Sequence, residues 1–202
     1  MNNFQYNTPR YLLFGTGCRK EIKNILGENS IKKVLVVTDK DLSRLGVAAK
    51  ITAVLEESNL DYVLFDSVKP NPTVDIVNAG VELYKSEACD GLISIGGGSP
   101  HDAAKAIGIV IANGGSITDY SKKPITKDIP PLIAVNTTAG TGSEVTHSCV
   151  ITDEAVNNKF GMKSIHMLPH TAINDYELMF TMPKSITAGT GMDALTHAIE
   201  AH

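Results

Sequence analysis

The sequence predicts an α/β fold: a doubly wound, mostly parallel sheet that carries one β-hairpin and is followed by the start of an all-helical region. Short β-branched runs alternate with amphipathic stretches as far as Val135, which is the pattern of βαβ units. Two of these runs lead directly into turns rich in glycine and threonine, and the last segment has a helical pattern. Together these observations indicate ligand-binding turns at one edge of a parallel sheet.

The first predicted strand, Lys33 to Thr38, is an almost continuous apolar run, as expected for a parallel strand covered on both faces. Asp41 through Ser58 predicts a helix, and Leu60 to Phe65 a second strand. Thr73 to Glu87 predicts a second helix with Thr73 as its N-cap.

Gly91 to Ile95 predicts a third strand, which leads through a glycine turn into a helix from Pro100 to Asn113. Pro131 to Val135 predicts a fourth strand. After Thr146 the pattern changes, and two short runs around Asp153 and Glu154 predict a β-hairpin, Ser148 to Thr152 with Lys159 to Lys163.

From Pro183 onward the chain has a helical pattern, with a predicted helix from Ser185 to His202. We therefore expect one unit over residues 1–180 and a second that begins at residues 181–202. No Gly, Asn or Pro follows this last helix, so we expect the chain to stop inside it.

Composition excludes several classes of function. With 43% hydrophobic and 20% charged residues, a net charge of −4 and scattered lysines, the chain offers no basic stripe for nucleic acid or anionic lipid. Its apolar runs are too short to span a membrane. Three cysteines without a C-x-x-C pair fit free thiols in a reducing compartment, and we expect a cytoplasmic protein that binds small molecules.

Two turns carry the strongest chemical signal. In Gly96-Gly97-Gly98-Ser99, glycines allow backbone N–H groups to approach an anion such as a pyrophosphate at the start of a helix. The turn lacks the G-x-G-x-x-G spacing, and a glycine run alone is as often a plain tight turn. The second turn, Thr137 to Glu144, can bind an amide or a phosphate, or can equally be a threonine-rich helix cap. Both follow predicted strands, where open α/β sheets bind ligands.

Two acidic positions add to this picture. Asp39 ends the first predicted strand, where a carboxylate can bind both hydroxyls of an adenosine ribose and disfavour NADP relative to NAD; it can equally cap the next helix. Asp193 and His197 are four residues apart on the last predicted helix and can share a divalent cation such as Fe²⁺ or Zn²⁺. By spacing alone, such a pair is more often a surface hydrogen bond.

These motifs together resemble the iron-containing alcohol dehydrogenases. The resemblance covers essentially the whole chain and rests on ordered matches at the following segments: Phe14 to Gly17, Thr38 to Lys40, Pro70 to Thr73, Gly96 to Ser99 with Asp102, Thr137 to Glu144, Val150 to Asp153, Lys159, and Gly191 to Glu200. It implies a Rossmann-like domain that binds NAD(P), joined to a helical domain that completes a divalent iron site, as in the dehydroquinate synthase-like architecture.

The resemblance also implies site residues. For the cofactor these are Asp39 and Asn71 at the adenosine; Gly97, Gly98, Ser99 and Asp102 at the pyrophosphate; Thr138, Thr141, Val150 and Lys159 nearer the ribose and nicotinamide; and Leu178 in the same cleft. Asp193 and His197 are the first two metal ligands, with two histidines expected further along a longer chain.

The implied reaction is hydride transfer between NAD(H) and a primary alcohol or its aldehyde, with no evident catalytic side chain in this segment. Two ligands do not close a metal site, so we expect a truncated family member that has little turnover. Separately, we expect a homodimer or higher homo-oligomer. The alternative is a nucleotide-binding module without catalysis.

Overall fold

A computed structural model describes residues 5–201 of the chain. Six parallel strands form the main sheet, in the order β1-β8-β5-β4-β2-β3, and β6 and β7 form an antiparallel hairpin. The strands are β1 (Tyr11–Phe14), β2 (Lys33–Asp39), β3 (Asp61–Val68), β4 (Gly91–Gly96), β5 (Leu132–Asn136), β6 (Ser148–Asp153), β7 (Asn158–Lys163) and β8 (Thr171–Asn174). The helices are α1 (Ile22–Glu28), α2 (Lys40–Arg44), α3 (Val47–Glu57), α4 (Val74–Ser86), α5 (Gly98–Asn113) and α6 (Lys184–Glu200).

The order of the strands reverses at β2. The chain passes from β2 to β3 on one side, and then crosses back to place β4 on the other side of β2. Helices that leave neighbouring strands in opposite directions open a crevice at their carboxyl ends, which is where open α/β sheets bind ligands. The predicted doubly wound sheet is thus confirmed, with its switch point between β2 and β4.

Two apolar clusters cover the two faces of the sheet. Every residue of β4, β5 and β8 is buried, which explains why these strands have no alternation of apolar and polar residues. One cluster packs α4 and α5 on one face, and the other packs α1 and α3 on the opposite face. The core therefore holds the carboxyl ends of the central strands in fixed positions.

Several predicted elements are confirmed, and others are corrected. Thr73 caps α4, where its side chain accepts a hydrogen bond from the Ile76 N–H. The single helix predicted from Asp41 to Ser58 is wrong: the chain forms α2 and α3, separated at Gly46, whose φ of 74° is left-handed. The sequence analysis also missed β1, β8 and α1, which are only four to seven residues long.

The predicted hairpin is confirmed and lies against the main fold. Backbone pairing joins Thr152 in β6 to Thr73 at the start of α4, and the Thr152 N–H donates to the Pro72 carbonyl at 2.9 Å. The hairpin is thus attached to the start of α4.

The last helix differs from the others because none of its side chains is buried. Ile186, Met192, Leu195 and Ile199 are all large apolar residues on its exposed surface. His202, the end of the helix predicted from the sequence, lies outside the described residues. Over residues 5–201, the longest apolar helical segments fall short of what a membrane-spanning helix requires.

A buried ion pair fixes the start of the fold to β8. The Arg19 guanidinium lies 2.5 Å from the Asp175 carboxylate, whose side chain is fully buried and also accepts a hydrogen bond from the Gly17 N–H. Burial alone raises the pKa of Asp175, but the hydrogen bonds from Arg19, Gly17 and Glu177 outweigh it and hold the pKa below its ordinary value.

Replacement of Asp175 therefore has a pH-dependent cost. A carboxylate with a depressed pKa in the folded state stabilises the fold above its unfolded-state pKa, and this stabilisation is lost as the pH falls through the folded-state pKa. We expect Asp175→Asn to lower the free energy of unfolding by about 2 kcal/mol at pH 7, as for a lost hydrogen bond to a charged group. Urea denaturation from pH 7 down to pH 2.5 should show this difference shrinking; a difference that grows in acid would contradict the assignment.

Candidate cofactor cleft

A cleft of about 1020 Å³ opens at the switch point of the sheet. Its walls come from the carboxyl ends of β2, β3 and β4, from the turn after β5, and from the segment around residues 178–186 that leads into α6. Six of the cofactor residues implied by the resemblance line it: Asp39, Gly97, Gly98, Ser99, Thr138 and Leu178. The volume is at the upper end of the range for ligand clefts.

The glycine turn forms the floor of the cleft. Gly96 has a φ of 151°, a backbone conformation that side chains rarely adopt. A Cβ atom at Gly97 would lie 2.8 Å from Thr138 Oγ1, and one at Gly98 would lie 3.3 Å from Thr141 Cγ2. The glycines therefore allow the turn after β4 to pack directly on the loop of residues 137–146, which we call the threonine loop.

The same turn begins the sixteen-residue helix α5. Within residues 5–201, no side chain caps this end of the helix. The first N–H groups of a helix carry a partial positive charge and lack partners inside the helix. Because Gly98 and Ser99 line the cleft, this end of α5 is suited to bind an anion.

Asp39 caps a helix, one of the two roles that the sequence left open, and it also faces the cleft. Its Oδ1 atom accepts a hydrogen bond from the Leu42 N–H at 2.8 Å and so caps α2. The residue is only partly buried and lines the cleft beside Lys40 and Asp41. A carboxylate with one oxygen engaged by a backbone N–H can still accept hydrogen bonds at its other oxygen.

The threonine loop, residues 137–146, is held to both neighbouring strands. Its first N–H, from Thr137, donates to the Gly96 carbonyl at 3.0 Å, and the Thr138 N–H donates to Asn136 Oδ1 at 3.0 Å. The loop therefore lies next to the glycine turn in space, as expected for two turns that leave adjacent parallel strands.

Asp102 lies in the first turns of α5, close to the glycine turn, and its carboxylate binds protein groups. Its Oδ1 accepts a hydrogen bond from Ser143 Oγ at 2.9 Å, and its Oδ2 accepts one from the Val150 N–H at 3.0 Å. It does not line the cleft. Burial raises the pKa of Asp102, whereas nearby Lys105 and these two hydrogen bonds lower it. The carboxylate thus ties the threonine loop and β6 to α5.

Asn71 and Lys159 meet where the hairpin contacts the turn before α4. The Lys159 ammonium donates to Asn71 Oδ1 at 2.6 Å, and Asn71 has a left-handed φ of 57°. Neither residue lines the cleft itself. Their contact joins β7 to the turn before α4, so these two predicted residues, 88 positions apart, are adjacent in space.

Sequence reasoning missed the buried polar residues behind the cleft. His101 is fully buried, with Nδ1 2.7 Å from Ser94 Oγ; burial and the nearby Lys105 charge lower its pKa to about 3. The ring is therefore neutral and faces the sheet. Asn136 donates to both Glu144 Oε1, at 3.2 Å, and Asn174 Oδ1, at 2.9 Å. Asn136 and Asn174, polar residues at the ends of otherwise largely apolar strands, were the available signal.

Lys105 was also missed. Its side chain is fully buried, and its ammonium donates to the Ser143 carbonyl at 2.7 Å and the Ser148 carbonyl at 2.9 Å. A single lysine in the apolar run from Ala103 to Val110 was the sequence signal for this position.

The predicted metal pair lies on α6. His197 Nε2 and Asp193 Oδ1 are 3.6 Å apart, and the two side chains are 61% and 42% exposed. Among residues 5–201, no group of three or more His, Cys, Asp or Glu side chains is arranged to hold a metal ion. The pair therefore presents two donor atoms on one face of an exposed helix.

Helix α6 contacts the threonine loop at Gly140. A Cβ atom at Gly140 would lie only 2.6 Å from the Thr190 carbonyl oxygen, so the loop and the helix are in close contact there. Thr190, Asp193 and His197 follow one another at i, i+3 and i+7, which places them along one face of the helix. The metal pair therefore continues the helix face that meets the loop.

Comparison with known proteins decides the family. The sequence profile described as "Iron-containing alcohol dehydrogenase" matches residues 9–176. The chain belongs to the iron-containing alcohol dehydrogenase family. The family resemblance stated from the motifs is thus confirmed, and the matched range includes the glycine turn, the threonine loop and the hairpin.

Relatives in this family include alcohol dehydrogenase 4 of Schizosaccharomyces pombe, 46% identical, which aligns with 96% of this chain and 46% of its own length. The NAD-dependent methanol dehydrogenase of Bacillus methanolicus is 45% identical over 96% of this chain and 51% of its own. The chain thus spans about half the length of the curated relatives it matches.

Solved structures of the family share the fold. A 1,3-propanediol oxidoreductase superposes with a TM-score of 0.95 at 41% identity, covering 98% of this chain and 52% of its own. The sulfoacetaldehyde reductase of Bifidobacterium kashiwanohense, solved in complex with NAD⁺, gives a TM-score of 0.92 at 35% identity over 99% of this chain and 53% of its own. The predicted Rossmann-like architecture is therefore confirmed.

Proposed function

We propose that this chain is the nucleotide-binding part of an NAD-dependent dehydrogenase that interconverts a primary alcohol and its aldehyde at a divalent metal, with iron as the metal that the family indicates. The observation that carries the proposal is the uncapped start of α5, whose glycine turn lines the cleft at the switch point. Family membership and the relatives that act with NAD support the same conclusion.

The cleft fits a dinucleotide in size and in chemistry. Its floor offers backbone N–H groups for a pyrophosphate at Gly98 and Ser99. At one end, the Asp39 carboxylate can accept hydrogen bonds from ribose hydroxyls and repel a 2′-phosphate, which favours NAD. Leu178 and Ile186 provide apolar surface on the opposite wall.

The donor pair on α6 fits part of a metal site. Ligand atoms that bind one ion at about 2.1 Å lie roughly 3.4 Å apart in tetrahedral geometry, close to the 3.6 Å between Asp193 Oδ1 and His197 Nε2. An oxygen and an imidazole nitrogen accept Fe²⁺ or Zn²⁺. When bound, the metal supplies Lewis-acid polarisation of the alcohol oxygen, and NAD supplies the hydride acceptor.

The residues of this chain bind and orient the dinucleotide and the metal. The glycine turn fixes the pyrophosphate, Asp39 selects the ribose, and α6 carries the metal pair on the face that meets the threonine loop at Gly140. The predicted division at residue 180 assigns α6 to a second, helical unit. Among residues 5–201, no third His, Cys, Asp or Glu side chain joins the metal pair, so we infer that metal-dependent catalysis needs further ligands.

The proposal is tested by titration of the chain with NADH and NADPH, followed by fluorescence. We expect NADH to bind more tightly than NADPH, since the Asp39 carboxylate lies where a 2′-phosphate would be placed. Absence of saturable binding of either cofactor, by a chain shown to be folded by circular dichroism, would overturn the proposal. Binding without iron-dependent oxidation of propanediols or butanol, even with the downstream half supplied in trans, would favour a non-catalytic nucleotide-binding module.

Asp39→Asn isolates the effect of charge on cofactor choice. Asparagine caps helices as well as aspartate does, so α2 should remain intact. We expect the ratio of NADPH to NADH affinity to rise by about tenfold, the effect of removing roughly 1.4 kcal/mol of repulsion. Thr73→Ala removes the cap of α4 and serves as a control that should leave this ratio unchanged.

A further inference from the structure

Lys105 is a charged side chain in the apolar interior of α5. It is fully buried, between Ala104 and Ala106, which are also fully buried. Burial of an ammonium group is unfavourable unless hydrogen-bond acceptors replace its water. Burial lowers the pKa of Lys105, and the charges of Asp102, Cys149 and Glu144 oppose this shift. The role of Lys105 can therefore be inferred from the acceptors that its ammonium group binds.

All four of those contacts lie in one short segment. The ammonium donates to the carbonyl and the hydroxyl of Ser143, at 2.7 and 3.1 Å, to Thr146 Oγ1 at 3.2 Å and to the Ser148 carbonyl at 2.9 Å. This segment connects the end of the threonine loop with the start of β6. Lys105 thus fixes the junction of the loop and the hairpin to α5.

Asp102 holds the same junction from one turn earlier on the helix. Its two carboxylate oxygens accept from Ser143 Oγ and the Val150 N–H. Ser143 therefore bridges the two charged residues, because its hydroxyl accepts from Lys105 and donates to Asp102. Since α5 begins at the glycine turn, the phosphate cradle and the loop are both anchored to one rigid helix.

The position of the loop indicates which part of a dinucleotide it faces. Asp39 ends β2, the glycine turn follows β4, and the loop follows β5, and these strands lie side by side in that order. A dinucleotide with its adenosine ribose at Asp39 and its pyrophosphate at the glycine turn places its second nucleoside over β5. The loop therefore faces the nicotinamide half.

We infer that Lys105 is a positioning residue for the nicotinamide nucleoside, acting through the loop junction that its ammonium group holds. The inference rests on the proposed function. Loss of the ammonium should weaken the binding of the nicotinamide half and leave the binding of the adenosine diphosphate half unaffected. A merely structural role of Lys105 would affect both halves alike.

The test compares NADH with ADP in calorimetric titrations of the 202-residue chain and its Lys105→Met variant. Methionine keeps an unbranched, apolar side chain in the core. We expect NADH affinity to fall by about tenfold, the effect of one or two lost hydrogen bonds, while ADP affinity changes by less than about twofold. A parallel loss of both affinities, or of neither, would overturn the inference.

Two further variants keep the test decisive. Ser143→Ala removes the bridging hydroxyl and retains Lys105, so it should lower the NADH-to-ADP affinity ratio in the same direction even if Lys105→Met fails to fold. Leu55→Ala opens the core on the opposite face of the sheet, and it should lower stability without changing the ratio. If the unaltered chain binds neither ligand, the proposed function and the inference both fail; if it binds them and the ratio stays constant in the variants, only the inference fails.

Discussion

Gly97→Val is expected to abolish measurable NADH binding. A Cβ atom at this position lies 2.8 Å from Thr138 Oγ1 and 3.0 Å from Thr138 Cγ2, so a branched side chain must push the threonine loop away from the glycine turn. The added atoms also enter the cleft at its floor, which Gly97 and Gly98 line. Loss of two charge-assisted hydrogen bonds to a pyrophosphate, at about 1.5 kcal/mol each, corresponds to roughly a 100-fold weaker affinity.

Gly27→Val is the matched control for this substitution. Gly27 lies in α1, and a Cβ atom there meets nothing within 4 Å. Both variants should retain the circular dichroism spectrum of the unaltered chain, and only Gly97→Val should lose NADH binding in a fluorescence titration. Wild-type affinity in a folded Gly97→Val variant would show that the cofactor does not use the glycine turn.

The second large effect is expected at the metal pair. His197→Ala leaves Asp193 as the single remaining donor of the pair, and a single exposed carboxylate binds transition metals weakly. We expect the unaltered chain to bind Co²⁺ or Zn²⁺ saturably and weakly, and the variant to lose this binding by more than about tenfold, as when a supporting metal contact is removed. Calorimetry with each metal measures this without reference to enzymatic activity.

A second Asp/His pair in the chain provides the control. His166 Nδ1 lies 2.6 Å from Asp128 Oδ1, far from α6 in the sequence. His166→Ala should leave metal binding unchanged. Equal losses in the two histidine variants would mean that the chain binds metal at scattered surface sites and that Asp193 and His197 form no site of their own.

The positions of the glycine turn, the threonine loop and Asp39 at the ends of strands could be predicted from the sequence, because local rules govern them. A glycine run after a buried strand, or a hydroxyl-rich turn, has few conformations open to it. In the structure, α5 starts without a side-chain cap, and Asp39 both caps α2 and lines the cleft. The sequence had left both roles of Asp39 open. The family resemblance contributed residues such as Asn71 and Lys159, which spacing alone does not single out.

The contacts of Lys105 and the contact of Asn136 with Asn174 could not be predicted, because the partners come from distant segments of the chain. Lys105 meets acceptors 38 to 43 residues away, and Asn136 meets Asn174 38 residues away. No local pattern states whether a polar side chain faces water or the sheet. The hydrogen bonds that the Asp102 carboxylate accepts from Ser143 and Val150 show the same limit, because these partners lie 41 and 48 residues away.

The sequence by itself determined the α/β class, the two turns at strand ends and the i, i+4 spacing of Asp193 and His197, since each depends on residues that are neighbours along the chain. Only the tertiary structure decided the order of the strands, the addition of β1 and β8 at one side of the sheet, and the contact of Gly140 with Thr190. These features depend on which surfaces pack against each other. Packing is a property of distant segments brought together by burial of the core. This packing places the cleft beside the segment that leads into α6 and buries Lys105 behind the threonine loop.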